Sequence, residues 1–380
     1  MTINNLPIIF RPKHQVVTLS VSLGFFLLFL ATECSTQGQI LFNAAGDAAG
    51  NVVGGTGGGG TGGWYGSSWW NGTANQGWDG STAVFGGAAG TATLDGGVDA
   101  TGQLIFLNNG HTIDLNGNYL NFTSVANSIQ VDPGVTATIV GSGSTSRNLS
   151  GFNGGGNLVL GDGSALSGSQ FGFSVFDKGG TVTVNNSASG SSAFNSYIQF
   201  NASTHQLPIT LAGNGYVGSG GADLIANVGA NMVINPGLAA GQIGSLKFDG
   251  TLTLNANGGN VIFNADIGGT APGAYDTLIT SGSLGTANGQ TLINISLVNG
   301  YNPTVGDYFD LLQSSSISGT DAIVLGNTPA GVTFGESVVG GDLRLTVTAV
   351  PEPSSVALLG LALVSLLAGR VRRQIPQNGK

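Results

Sequence analysis

The sequence predicts an all-β protein whose centre is a right-handed parallel β-helix, and three observations predict it. Short groups rich in β-branched residues recur along the middle of the chain: Asn157–Leu160, Thr181–Val184, Leu207–Leu211, Met232–Ile234 and Thr251–Leu254. Each has the length of a strand and is bounded by Gly, Asn or Ser. Their centres fall roughly 19 to 27 residues apart, the length of one solenoid coil. Glycine, 67 of 380 residues, supplies corners where the backbone must take left-handed conformations. Between the two termini no long segment shows helical periodicity.

The elements follow in order. Arg11, Lys13 and His14 precede an apolar stretch from Val16 to Ala31 and then small and polar residues up to Gly38, the layout of a secretory signal peptide. Residues 1–38 are read as that leader, exported by a Sec-type machinery, with Gln39 near the mature start. Cys34, the single cysteine, goes with it, so stability comes from packing and backbone pairing without an intramolecular disulfide. Residues 39–63 read as a Gly-rich spacer, 64–245 as the solenoid and 246–349 as a β-rich C-terminal part. That part is open between a continuing solenoid and an antiparallel, sandwich-like arrangement, since strands every 8–12 residues also fit it.

Residues 350–373 are of another kind. Pro351, Glu352 and Pro353 precede an apolar run, Val356 to Gly369, and the basic cluster Arg370, Arg372 and Arg373. Residues 374–380 are a polar tail. As a helix the run is about 21 Å long, short of a hydrocarbon core of about 30 Å, so it enters a bilayer and spans it poorly. Arginines on its far side favour a cytoplasmic C-terminus with the β-rich body outside. The two prolines keep the preceding segment extended, accessible to an enzyme at the membrane surface.

Charge narrows the partners. The stretch Gln39–Val350 holds four strongly basic residues, Arg147, Lys178, Lys247 and Arg344, against seventeen acidic ones. Nucleic acid needs a basic face and is excluded as a partner. No catalytic set emerges. The exported stretch has two histidines, His111 and His205; His111 beside Asp114 reads as a solvated turn pair. Asp114-Leu-Asn116-Gly-Asn118 alternates oxygen ligands as a calcium loop does, but Tyr119 and Val125 stand where that loop needs Gly and Glu. No metal or cofactor is expected. All four tryptophans, Trp64, Trp69, Trp70 and Trp78, cluster together with Tyr65. They admit two readings: a plug for the open end of the solenoid, or a platform stacked on sugar rings.

Two resemblances sit on these residues. Pro351-Glu352-Pro353, the apolar run and the arginines together resemble the PEP-CTERM sorting signal of exported bacterial proteins, which implies processing by an exosortase-type membrane enzyme and a transient membrane anchor. Trp70 to Trp78 with Ala83–Gly87 and Thr91–Leu94 resembles the start of autotransporter-associated β-strand repeats. Asn235–Gly237, Tyr275–Leu278, Thr291–Asn294 and Gly306–Leu312 resemble the closing segment of such β-helical passengers. No terminal outer-membrane barrel accompanies them, so export rests on the two signals. The sequence thus points to an exosortase-sorted structural or adhesive protein of the cell surface or extracellular matrix, associated with exopolysaccharide and without enzymatic activity. A β-helical polysaccharide lyase or hydrolase is the alternative.

Overall fold

The structure, a computed structural model, describes residues 39–44, 58–100, 102–122, 126–141, 144–145, 150–163, 179–186, 198–202, 208–218, 222–226, 231–350 and 363–366. The leader, the sorting tripeptide and the basic cluster lie outside them. Within the described residues the chain is built almost wholly of strands.

One parallel sheet of eleven strands forms the backbone of the fold, running from Gly60–Gly63 through Gly90–Thr93, His111–Asp114, Thr136–Val140, Asn157–Leu160 and Gly180–Val184 to Ile209–Gly213, Asn231–Pro236, Asn260–Ile267, Thr291–Leu297 and Ile323–Leu325. Between successive strands of this long face the chain visits two other faces. One holds parallel strands such as Thr82–Phe85, Leu104–Phe106, Leu252–Asn255 and Ser283–Ala287. The other holds Val98–Ala100 and Tyr119–Phe122 in the N-terminal half, and Ser245–Phe248 and Thr277–Thr280 in the C-terminal half. Three strands per coil, each pairing in parallel with its counterpart one coil on, describe a β-helix. The long face alone runs through both halves, because the other two faces are each divided into an N-terminal and a C-terminal sheet.

Register explains why these residues form these strands. On the long face His111, Ala137, Leu158, Val182, Leu211, Ile234, Phe263 and Ile293 stand in one inward column. Alternation along a strand sends every second side chain inward, so the burial of Asn231–Pro236 and Asn260–Ile267 alternates residue by residue. Each aliphatic side chain sealed in this way contributes roughly 1.5–3 kcal/mol, and one continuous core runs from Ile40 to Val347. Outward positions carry polar ladders: Asn294 Nδ2 donates to Asn264 Oδ1 at 3.0 Å, and Asn294 Oδ1 accepts from the Asn327 backbone N–H at 2.9 Å.

Coil length is not constant. Gln103 meets Thr82 one coil back at a separation of 21 residues, whereas Asn288 meets Asn255 at 33. The C-terminal coils therefore exceed the interval expected from the sequence, the extra residues forming longer corners. The sandwich-like alternative for residues 246–349 is corrected: parallel pairing continues through Ile323–Leu325, and antiparallel pairing is confined to a single bridge at a corner, Ile267 to Tyr275, and to Tyr308–Gln313, Asp342–Ala349 and Thr333–Val339, which close the last coil. At the other end Trp69–Trp70 and Asn75–Gln76 extend Gln39–Phe42 as an antiparallel edge. One sheet at each end is thus finished by strands that differ in direction from the stack, which removes a template for further parallel pairing on that face.

The stretch expected as a spacer is corrected at both of its ends. Gln39–Phe42 pairs in parallel with Thr82–Phe85, and Gly60–Gly63 pairs in parallel with Gly90–Thr93. Glycine is required there because the backbones approach closely: a Cβ on Gly90 would stand 2.3 Å from the Gly60 carbonyl oxygen.

Candidate functional site

The N-terminal end gathers the chain's four tryptophans, Trp64, Trp69, Trp70 and Trp78, with several other aromatic side chains. Trp64 and Trp69 are fully buried, their rings 4.9 Å apart in an edge-on arrangement, and Trp69 Nε1 donates to the Trp64 carbonyl oxygen at 2.6 Å. Phe42 and Phe85 complete the cluster, and Phe85 stacks on Phe106 at 4.6 Å, carrying the aromatic core into the next coils. Rings closed in this way hold water off the end of the apolar column. Of the four tryptophans, then, Trp64 and Trp69 have no face left for a ligand, and Trp70 is half-buried. Trp78 is half-buried against the core, its Nε1 donating to the Ser81 carbonyl oxygen at 3.2 Å.

The exposed rings beside this plug are tyrosines. Tyr65 follows the first strand of the long face, is 45% exposed, and donates its hydroxyl to the Gly97 carbonyl oxygen at 2.6 Å. Its backbone N–H donates to Asp95 Oδ1 at 2.9 Å. Tyr119, two coils further on and 44% exposed, lies over Gly97: a Cβ there would come 2.2 Å from the Tyr119 ring. Asp99 stands at the rim, accepting from Asn121 Nδ2 at 2.7 Å. Burial raises the Tyr65 phenol above its ordinary pKa, and Tyr119, Asp99 and Asp95 raise it further. Sequence reasoning noticed Tyr65 only as a neighbour of the tryptophans and missed Tyr119. Aligning Leu120 with Val98 across one coil, as the sheet does, brings Tyr119 onto Gly97 and is the signal that finds it.

Other sequence candidates resolve into structural roles. His111, expected in a solvated turn, is fully buried in the inward column, 5.7 Å from the Phe85 ring. Neither ring nitrogen meets a partner in good hydrogen-bond geometry, although the Gly86 backbone lies close. Burial lowers its pKa to about 4, with the nearby Gly86 backbone pulling weakly the other way. The segment with alternating oxygen ligands is a corner of the coil. Asp114 Oδ1 accepts from the Asn116 N–H at 3.0 Å, and the Asn116 and Asn118 amides donate to the Leu94 carbonyl oxygen. Those contacts use the amide nitrogens to tie this corner to the coil before it. Among the described residues no group of three or more His, Cys, Asp or Glu side chains could hold a metal ion.

Cations are held as well. Arg344 pairs with Asp310, and Lys247 Nζ lies 5.0 Å over the Tyr216 ring. Arg147 and Lys178 lie outside the described residues. Asp276, buried, accepts from the backbone N–H groups of Gly244 at 2.7 Å and Asp266 at 2.9 Å. Burial nevertheless pushes its carboxyl up to about 7. Both oxygens are committed to tying a long corner to the core, so this carboxyl has the environment of a clamp.

In the tail, residues 363–366 are helical and exposed, and among the described residues no helix is long and apolar enough to cross a membrane. Pro351, Glu352, Pro353, Arg370, Arg372 and Arg373 lie outside the described residues. No curated protein matches the chain. Residues 349–373 match the PEP-CTERM protein-sorting motif, which marks the chain as exported, sorted to the cell surface and a substrate for an exosortase-type membrane enzyme.

Proposed function

We propose that this chain is a structural or adhesive protein of the cell surface or extracellular matrix, associated with exopolysaccharide and without enzymatic activity. The observation that carries the reading is the succession of a long parallel β-helix and, directly after its last strand Asp342–Ala349, the sorting motif at 349–373. A stack in which every coil contacts only its neighbours is a stiff spacer with repeating faces. Here those faces repeat polar groups: Thr61, Thr91, Thr112 and Thr138 stand in one outward column, and asparagines pair along another. Repeated weak contacts of this kind gain strength through multivalency when they meet a polymer. The apolar run before the arginines anchors the chain transiently until the tail is removed. His111 and Asp276, two described groups whose acid–base behaviour burial shifts strongly, are enclosed in the core and do not face solvent as an acid and base pair, which favours the structural reading over a lyase or hydrolase.

The test is intact mass and cell fractionation in a native host, comparing the parent with a variant carrying alanine at positions 351 to 353. The reading expects a shortened parent at the surface or in the medium and a full-length variant retained in the membrane. A full-length, membrane-bound parent would remove it.

A further inference from the structure

Three consecutive coils contribute to one small surface beside the aromatic plug. Tyr65 reaches from the first coil and Tyr119 from the third, and both lean onto Gly96 and Gly97 of the coil between them. A Cβ on Gly96 would meet the Tyr65 ring at 3.3 Å and one on Gly97 the Tyr119 ring at 2.2 Å, so the glycine pair is the shelf that lets both phenols lie down. The rings are preset: Tyr65 is tethered through its hydroxyl to the Gly97 carbonyl oxygen, and the Tyr119 hydroxyl lies 3.5 Å from Asp99 Oδ2. Trp78 packs edge-on against Tyr65, ring centres 6.4 Å apart. Carboxylates of Asp95 and Asp99 and the amide of Asn121 stand around the rings.

We propose that Tyr65 and Tyr119 form a binding platform for an uncharged glycan, with Asp95, Asp99 and Asn121 as hydrogen-bonding groups at its rim. Exposed aromatic faces on a flat shelf suit the C–H faces of pyranose rings, as tyrosine combines a large apolar body with a polar tip. Carboxylates are acceptors with several lone pairs and match the hydroxyl groups of a sugar. Charge selects among glycans. Two carboxylates rim the platform, while the cations among the described residues, Lys247 and Arg344, belong to C-terminal coils. A polyuronate is repelled and a neutral hexose or pentose chain is not. The inference rests on the reading of the chain as polysaccharide-associated and names the site and the class of sugar.

The experiment is affinity electrophoresis of the full chain in detergent through gels containing dextran, mixed-linkage β-glucan, xylan or galactomannan, with alginate as the anionic comparison. At least one neutral glycan should retard the protein, and Tyr65→Ala or Tyr119→Ala should weaken that retardation about tenfold, as loss of a central aromatic contact does. Gly97→Ala, which displaces the Tyr119 ring without removing it and lies outside the left-handed backbone region, should weaken it several-fold at an unchanged unfolding temperature. Retardation unchanged in both tyrosine variants overturns the platform and leaves the polysaccharide reading standing. Retardation by no neutral glycan, or by alginate alone, overturns the platform and its charge argument together.

Discussion

Arg344 and Asp310 face each other across the antiparallel closure of the last coil, Nε 2.7 Å from Oδ1 and Nη2 3.0 Å from Oδ2, with the guanidinium 4.1 Å over the Tyr308 ring. Among the described residues this is the one ion pair, and it joins strands that break the parallel pattern of the stack. A forked, partly shielded pair of this geometry exceeds an ordinary surface pair. Arg344→Lys keeps the charge and loses the fork. Replacing Arg344 by alanine is expected to cost about 1 kcal/mol and to act locally, since solenoid ends fray coil by coil. Hydrogen exchange should show faster opening of Thr333–Val339 with the central coils unchanged. Uniform acceleration across the stack would contradict this.

His111 occupies a place in the inward column between Gly90 and Ala137, where the following coils carry Leu158, Val182 and Leu211. Its folded pKa, about 4, lies below the ordinary 6.5, so folding disfavours the charged ring. The resulting stability is fully present above pH 6.5 and is lost as pH falls through the window down to about 4. A shift of this size corresponds to about 3 kcal/mol. His111→Leu removes both the titration and two unpaired buried nitrogens. It is expected to match the parent within about 1 kcal/mol at pH 7 and to exceed it at pH 4.5 in urea titrations. A variant no more stable than the parent at pH 4.5 would show that the histidine does not titrate in this way.

What could be read from the chain depended on whether a residue's partner could be guessed from its own neighbourhood. Strands such as Asn157–Leu160 and Thr181–Val184 announce themselves through β-branched side chains, and the structure pairs them directly. Gly60–Gly63 has no apolar side chain and is a strand only because Gly90–Thr93 lies beside it. His111 was misread for the same reason: beside Asp114 it looks like a turn, and only the register with Ala137 turns it inward. The aromatic plug was legible as one of two readings because Trp64 and Trp69 are near in sequence. The platform was not, since Tyr65 and Tyr119 come together through coil geometry. The sorting motif was legible in full, being a linear signal.

Gly213 tests the corner geometry. Its φ is +118°, it exchanges backbone hydrogen bonds with Gly237 at 2.9 and 2.7 Å, and a Cβ would stand 2.0 Å from the Val184 carbonyl oxygen. Neither backbone can give without opening the long face. Gly213→Ala is expected to cost more than about 2 kcal/mol, the sum of a left-handed penalty and a backbone collision. Gly285→Ala, where the nearest atom would be Ser318 Oγ at 3.3 Å and φ is not positive, should change stability by less than about 1 kcal/mol. Equal losses in the two variants, read from denaturation midpoints, would remove the argument.

Asp276 opposes His111. Burial, the largest influence, lifts its carboxyl to about 7 against the pull of the Gly244 and Asp266 N–H groups. A folded pKa above the ordinary 3.8 means that the protonated form is favoured by folding. Stability from this group is full below about pH 3.8 and is lost as pH rises to about 7, by up to about 4 kcal/mol. Asp266, also raised by burial, tilts the same way. His111 gains across nearly the same window, so the two slopes offset each other and the parent should show a shallow stability profile between pH 4 and 7. The single variants separate them. Asp276→Asn should leave the histidine's slope exposed, with stability rising toward neutral pH. His111→Leu should leave the carboxyl's, with stability falling. The two sites share no partner and lie on distant coils, so the double variant should be flat again, with slopes adding. Urea midpoints at pH 4, 5.5 and 7 decide it: two single variants that tilt in the same direction would refute the opposed titration.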